Sequence, residues 1–345
     1  MSRSTVKYKK IISLLSFAAL FLSGCGNTVN TQSSKTVLNA DNVSSQNSIT
    51  DSSADDENSD ELYDSTPISN AYITGNADAL DSYQLEILNK AAEIIDSIID
   101  ESMSDYEKEL AVHDYIVANC EYDTGLLSVF GAYGKYSSDP YGALLKGKAI
   151  CSGYTTTFQL FMDMLEIPCI SLKAGDTDGE EHAWNMVQIN DEWYYVDVTW
   201  DDPIPDRGAD DFIRHKYFNV TEDYMAKKHL WDTQDLPEAT NFKDSYIEHN
   251  IYTISNFAQT QEYIETQISN KSENVYFRLD DELKSSVSKM DSEDDIDTVY
   301  FAKDISDDLA DVFDNILNKH KNIKLRCQRI EYDREIILAV YIGSK

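Results

Sequence analysis

Residues 149–168 read AICSGYTTTFQLFMDMLEIP and residues 182–200 read HAWNMVQINDEWYYVDVTW, and the fold turns on how these two stretches relate. In the first, Phe158, Leu160, Phe161, Met164 and Leu165 recur at helical spacing until Pro168 stops the run. The spacing predicts a buried helix that Cys151 opens. Three strand-like runs follow, Cys169 to Lys173, His182 to Ile189 and Trp193 to Trp200, the last two parted by a short polar turn at Asn190 to Glu192. A helix followed by an antiparallel sheet is the expected core, and the fold class is α+β.

A thiol nucleophile needs its thiolate favoured, which a helix N-terminus does through unpaired N–H groups and the positive end of its dipole. It also needs a base within hydrogen-bond reach and a third group to fix the tautomer of that base. His182 and Asp197 are the candidates. If Asn190-Asp191 is a two-residue hairpin turn, Ile189 faces Glu192, Trp184 faces Asp197 and His182 faces Thr199. His182 and Asp197 then lie diagonally on one face, whereas a slip of one residue would part them. Singly, each residue has a plainer reading: a small buried hydrophobe, a packed strand histidine, a loop-capping aspartate. The order Cys, His, Asp on a helix and then a hairpin favours a catalytic set, Cys151, His182 and Asp197, and nothing in it calls for a cofactor or a metal.

Upstream, Leu85, Leu88, Ala91, Ile94, Ile95 and Ile98 predict a helix over 83–99, and Ser104 with Glu107 form a capping-box pattern at the head of a second. His113 on that second helix reads as a packing or surface residue. Residues 123–147, rich in Gly, Tyr and Ser, read as a long cleft-shaping loop. Downstream, 201–211 is an acidic, Pro-containing loop, Tyr217 to Val220 leads into a short helix near Asp223, and the first domain is expected to span 81–241. Residues 245–345 read as a small α+β domain of unknown role. Its expected strands are 252–254, 275–279, 298–301, 324–330 and 336–342, its helices 257–268 and 309–317, and its histidines His249 and His320 look isolated and exposed.

The N-terminus has its own pattern. Arg3, Lys7, Lys9 and Lys10 precede an apolar run from Ile11 to Leu22, too short to span a bilayer comfortably, and Leu22-Ser23-Gly24-Cys25 resembles the lipobox of bacterial prolipoproteins. Residues 1–25 are expected to be a lipoprotein signal peptide, with Cys25 lipidated and the protein held at the extracytoplasmic face of a bacterial membrane. Residues 26–80, dominated by Asn, Ser, Thr and Asp, are expected to be a disordered tether. The formal charge of −33 becomes −37 without the leader, which excludes nucleic-acid binding and favours a soluble monomer. The acidic runs Asp201-Asp202 and 291–297 lack calcium-loop spacing and read as solvated surface. Cys120, Cys151, Cys169 and Cys327 would permit two disulfides, but a domain of this size needs no staples and their contexts are unlike.

Four blocks fall in order: Gly147 to Tyr154, Glu166-Ile167-Pro168, His182-Ala183-Trp184-Asn185, and Trp193 to Pro203. Together they resemble the bacterial transglutaminase-like superfamily, and His215-Lys216-Tyr217-Phe218-Asn219 resembles the tail of such domains in Gram-positive surface proteins. The resemblance covers roughly Leu80 to Asn241. It implies a papain-like fold with Cys151 as nucleophile, His182 as general base and acid, and Asp197 as the orienting carboxylate. It also implies a protein or peptide substrate, cell-wall peptide included, cleaved or transferred through a thioester. Peptidase, deamidase and transglutaminase remain open. Animal members place a Trp ahead of the cysteine to help hold the oxyanion, and here the first Trp is Trp184. The Cys151 backbone N–H is the first donor to consider, with the loop bearing Tyr133, Tyr136 and Tyr141 as the place for a second. Calcium dependence is not carried over. The competing reading is a non-catalytic cell-surface or cell-wall binding module that keeps the fold. A solute-binding lipoprotein would need two similar lobes, and only one helix-then-hairpin core is legible.

Overall fold

The tether expected from composition ends early. Pro67 opens a helix, α1 (Thr66–Thr74), whose Ile68 and Ala71 are buried, with Tyr63 and Tyr72 packed beside them. Average composition misses this because only a few apolar residues, Tyr63, Ile68, Ala71 and Tyr72, make the docking contact. The computed structural model describes residues 61–125, 133–202, 213–272, 274–280, 283–287, 305–332 and 335–344. The expected leader with Cys25, the tether up to 60, the acidic run 291–297 and the expected strand 298–301 lie outside the described residues.

The two helices predicted upstream form as α2 (Ser82–Ile98) and α3 (Asp105–Asn119). Each starts with a reciprocal capping box, Asp81 with Gln84 and Ser104 with Glu107, which satisfies two otherwise orphan N–H groups. Two short strands, β1 (Glu121–Tyr122) and β2 (Lys148–Ala149), pair in parallel. They clamp the two ends of the long loop, so β2 delivers the chain directly into α4 (Cys151–Met164). Phe158, Leu160, Phe161 and Met162 of α4 are wholly buried. At roughly 1.5–3 kcal/mol per buried side chain, this helix anchors the core.

Next come β3 (Cys169–Asp176), β4 (Glu181–Ile189) and β5 (Glu192–Val196). Asn190 and Asp191 turn with φ 52° and 67°, the pair of positive values that a two-residue type I′ hairpin requires. The register follows, from Ile189 opposite Glu192 to Asn185 opposite Val196. The strand does not reach Trp200 as its composition suggests. At Asp197 the backbone N–H donates to the Tyr217 carbonyl and the carboxylate accepts the Trp200 N–H, so the chain leaves the sheet and His182 never opposes Thr199. The parity that matters survives as far as Asp197.

After α5 (Glu222–Met225), β6 (His229–Leu230) joins the far edge of β3, giving the order β5-β4-β3-β6. A further short helix, α6 (Tyr246–Asn250), leads to β7 (Ile251–Ile254), α7 (Phe257–Asn270), β8 (Asn274–Leu279), α8 (Asp307–Lys319), β9 (Ile323–Tyr332) and β10 (Glu335–Ser344). These strands form a second sheet in the order β7-β8-β10-β9. Val187, Ile189, Tyr194 and Val196 face α4, while Trp184, Met186 and Tyr195 on the other side share a buried cluster with Tyr276, Ile330, Ile337, Ala339 and Tyr341. The C-terminal sheet therefore seals the back of the first one, and β4 is buried from His182 to Val187 on both its faces. His249 is not isolated: it stacks on Tyr106 at 3.9 Å, and its Nε2 lies 3.3 Å from Asp244 Oδ1.

Candidate active site

Cys151 is set by main-chain contacts of the two residues before it. The Asp123 N–H donates to Ala149 O at 2.7 Å and the Ile150 N–H to Ser137 O at 2.8 Å. Asp123 holds the returning loop through its carboxylate, which accepts from the N–H groups of Gly125 and Gly134 and from the Ser137 hydroxyl. The N-cap is Ile150, which has no side chain able to cap, so the first N–H groups of α4 are free of a side-chain acceptor beside a partly exposed Cys151. Gly153 is required by close approach. A Cβ there would run into the Ser137 carbonyl oxygen and come within 2.8 Å of the Ala149 Cβ. Gly153→Ala is expected to lose about 1–3 kcal/mol of stability and to slow Cys151 alkylation, read by urea unfolding and by labelling rate.

His182 comes from β4 and is nearly buried; its Nε2 lies 2.7 Å from Oδ2 of the wholly buried Asp197. Nδ1 is the nitrogen left for the Cys151 thiol, which stands near enough to the ring to help raise its proton affinity. Burial alone would lower that affinity, but the Asp197 charge and hydrogen bond outweigh it and raise the His182 pKa to about 10. For Asp197 burial pulls upward and loses: His182 and then His229 hold it well below the usual carboxylate range. Trp200 stacks on His182 with centroids 5.1 Å apart, and its N–H fixes the other Asp197 oxygen at 3.0 Å. The structure thus pairs His182 with Asp197 and sets Cys151 in their neighbourhood.

The loop tyrosines divide. Tyr136 and Tyr141 pack with Tyr83, at 5.8 and 4.6 Å, and Tyr141 donates to Glu86, so they serve the wall of the core. Tyr133 and, from β1, Tyr122 stand close enough to Cys151 that its charge, after burial, helps push their phenols up. The Asp201-Asp202 pair is not the solvated surface expected. Asp201 is buried, accepts the Tyr217 N–H at 3.0 Å and lies 3.2 Å from His113 Nε2, while Asp202 accepts the Tyr154 hydroxyl. Burial raises the Asp202 pKa to about 7. His113 is a buried structural residue between Asp201 and Asp114, and Asp114 also meets His215 at 2.7 Å.

Sequence reasoning missed His229. It reaches Asp197 from β6, a two-residue strand whose position depends on pairing with β3 and on Trp231 donating to the Tyr195 hydroxyl. Among the described residues, two groups place ligand-capable atoms within 4.8 Å of one another, His113 with Asp114 and His215, and His182 with Asp197 and His229. In both, nitrogen meets carboxylate oxygen at 2.7–3.0 Å, a hydrogen-bond geometry in which protons rather than lone pairs point inward. Cys120, Cys151 and Cys169 are free thiols.

Residues 92–198, which hold the helix opened by Cys151 and the hairpin that leads from His182 to Asp197, match the family model of the transglutaminase-like superfamily. The chain resembles kyphoscoliosis peptidase of Homo sapiens, 23% identical over 199 residues, and that of Mus musculus, 22% identical over 193 residues. These matches cover 52% and 50% of this chain but only 29% and 28% of the relatives' length. Among solved structures, a TGase is similar over 38% of this chain and 36% of its own, at 20% identity and a TM-score of 0.31.

Proposed function

We propose that this protein is a cysteine acyl-transfer enzyme in which Cys151 attacks an amide carbonyl of a peptide bond or a glutamine side chain. His182 takes the thiol proton at Nδ1 while its Nε2–H stays on Asp197. The sulfur–carbon bond forms, the carbon–nitrogen bond breaks, and the departing amine or ammonia leaves with the proton from His182. Water or a primary amine then attacks the thioester, giving its proton to His182 and returning Cys151 as the thiol. The Cys151 N–H at the head of α4 is one donor to the oxyanion. The observation that carries the reading is the His182 imidazole paired at 2.7 Å with the buried Asp197 carboxylate, with Cys151 near enough to influence the ring. The named relatives are described as peptidases, which agrees with amide chemistry.

The test is to incubate the protein with peptides bearing glutamine and to trap the acyl-enzyme by mass spectrometry, with and without an added primary amine. A thioester on Cys151 that resolves to acid or to an amine adduct supports the reading and separates hydrolysis from transfer. Turnover with no adduct on Cys151 would sink it. The same proposal places the enzyme at the extracytoplasmic face of a bacterial membrane, held through Cys25 and acting on protein or cell-wall peptide. Cys25→Ser should then move the protein out of the membrane fraction, and a variant that stays there counts against the anchor.

A further inference from the structure

His229 is 1% exposed, and both of its ring nitrogens face oxygens. Nε2 lies 2.9 Å from Asp197 Oδ2, the same oxygen that His182 meets, and Nδ1 lies 3.2 Å from the Met225 carbonyl oxygen. A carbonyl and an ionised carboxylate can only accept, so satisfying both needs an N–H on each nitrogen. A neutral ring would leave one lone pair aimed at an oxygen in a site closed to water, a costly arrangement. The surroundings suit a cation: Trp200, Trp184 and Tyr217 stand with ring centroids 4.3, 4.7 and 5.6 Å from the His229 ring. Asp176, opposite His229 on β3, has Oδ1 occupied by the N–H groups of Asp178 and Glu180. Among the described residues, the ionisable side chains in contact with His229 are Asp197, His182 and Tyr217.

We propose that His229 is a positioning residue for the Cys151–His182–Asp197 reaction, a buried imidazolium that clamps Asp197 and balances the charge of the site. The proposal rests on the reading of those three residues given above. When the proton has moved from sulfur to His182, thiolate, imidazolium and carboxylate sum to −1 in a nearly closed pocket. His229 as imidazolium brings that sum to zero. A buried net charge is strongly disfavoured, so this second histidine offsets the Asp197 carboxylate throughout the reaction and supplies a cation in the neighbourhood of the thiolate once sulfur has lost its proton, without touching substrate. It also explains why one carboxylate oxygen carries two histidines while the other is tied to the Trp200 N–H.

The experiment alkylates the full-length protein and its His229→Gln variant with iodoacetamide from about pH 4 to about pH 9, following Cys151 by mass spectrometry. Glutamine keeps an N–H donor for Asp197 but removes the charge. The pH of half-maximal labelling is expected to rise by about one unit, as befits loss of a cation from the neighbourhood of the ion pair. Superimposable profiles from a folded variant overturn the proposal while leaving the role of Cys151 intact. A parent Cys151 that labels no faster than an ordinary thiol at every pH overturns the reading beneath it. If the variant does not fold, nitrogen NMR of the histidine-labelled parent decides. Protons on both His229 ring nitrogens at neutral pH support the proposal, and a proton on only one overturns it.

Discussion

Cys151→Ala is expected to abolish turnover of any substrate the protein acts on, by a factor on the order of 10⁴ to 10⁶ in kcat, with little loss of stability. The side chain is partly exposed at the head of α4, so removing its sulfur opens no cavity in the core. Without sulfur there is no thioester, and the remaining binding and oxyanion contacts give only residual rate. Parallel melts and rate measurements check this. A variant that turns over as fast as its parent would assign the chemistry elsewhere.

Asp197→Asn is the second large effect, and it acts on rate and stability together. An amide in place of the carboxylate leaves His182 Nε2–H without its charge partner and no longer fixes the tautomer, so kcat should fall about 10²- to 10⁴-fold. In the parent, His182 has its pKa raised to about 10 against an unfolded value near 6.5. That contribution to stability is complete below about pH 6.5 and is lost as pH rises towards about 10. Asp197, depressed by the two histidines, contributes stability above about pH 4 that is lost on acidification. With asparagine in place, burial still lowers the proton affinity of His182 and only Cys151 is left to raise it, so that affinity drops. Stability should then fall as pH drops below about 6.5, reversing the sign of the His182 contribution. Melts of parent and variant across pH read this reversal directly, and parallel curves would contradict the assigned electrostatics.

How much of this was legible in the sequence depended on how local each determinant is. The helix opened by Cys151 announced itself through apolar spacing and a stopping proline, and the hairpin through a two-residue polar turn whose positive φ values fix the register. From those two elements alone His182 and Asp197 fall on one face. What the sequence hid depends on contacts between distant segments. His229 lies 32 residues beyond Asp197 on a strand too short to show period two, and only its pairing with the edge of β3 brings it in. Asp201 reads as surface charge because its buried partners, His113 and the Tyr217 N–H, come from α3 and from a later loop. The C-terminal strands look independent in sequence, yet their outer residues complete the packing behind Trp184 and Met186.

The most direct test of the central claim is iodoacetamide labelling of the parent and of His182→Ala across pH, with the modified cysteine mapped by mass spectrometry. Burial pushes the Cys120 thiol up to about 12 and Cys169 well above its ordinary range, and Cys327 is buried, so these three should label slowly. The account predicts fast, selective labelling of Cys151 that persists well below about pH 8 and slows when His182 is removed. Uniformly slow labelling, or a Cys151 rate indifferent to His182, would contradict it.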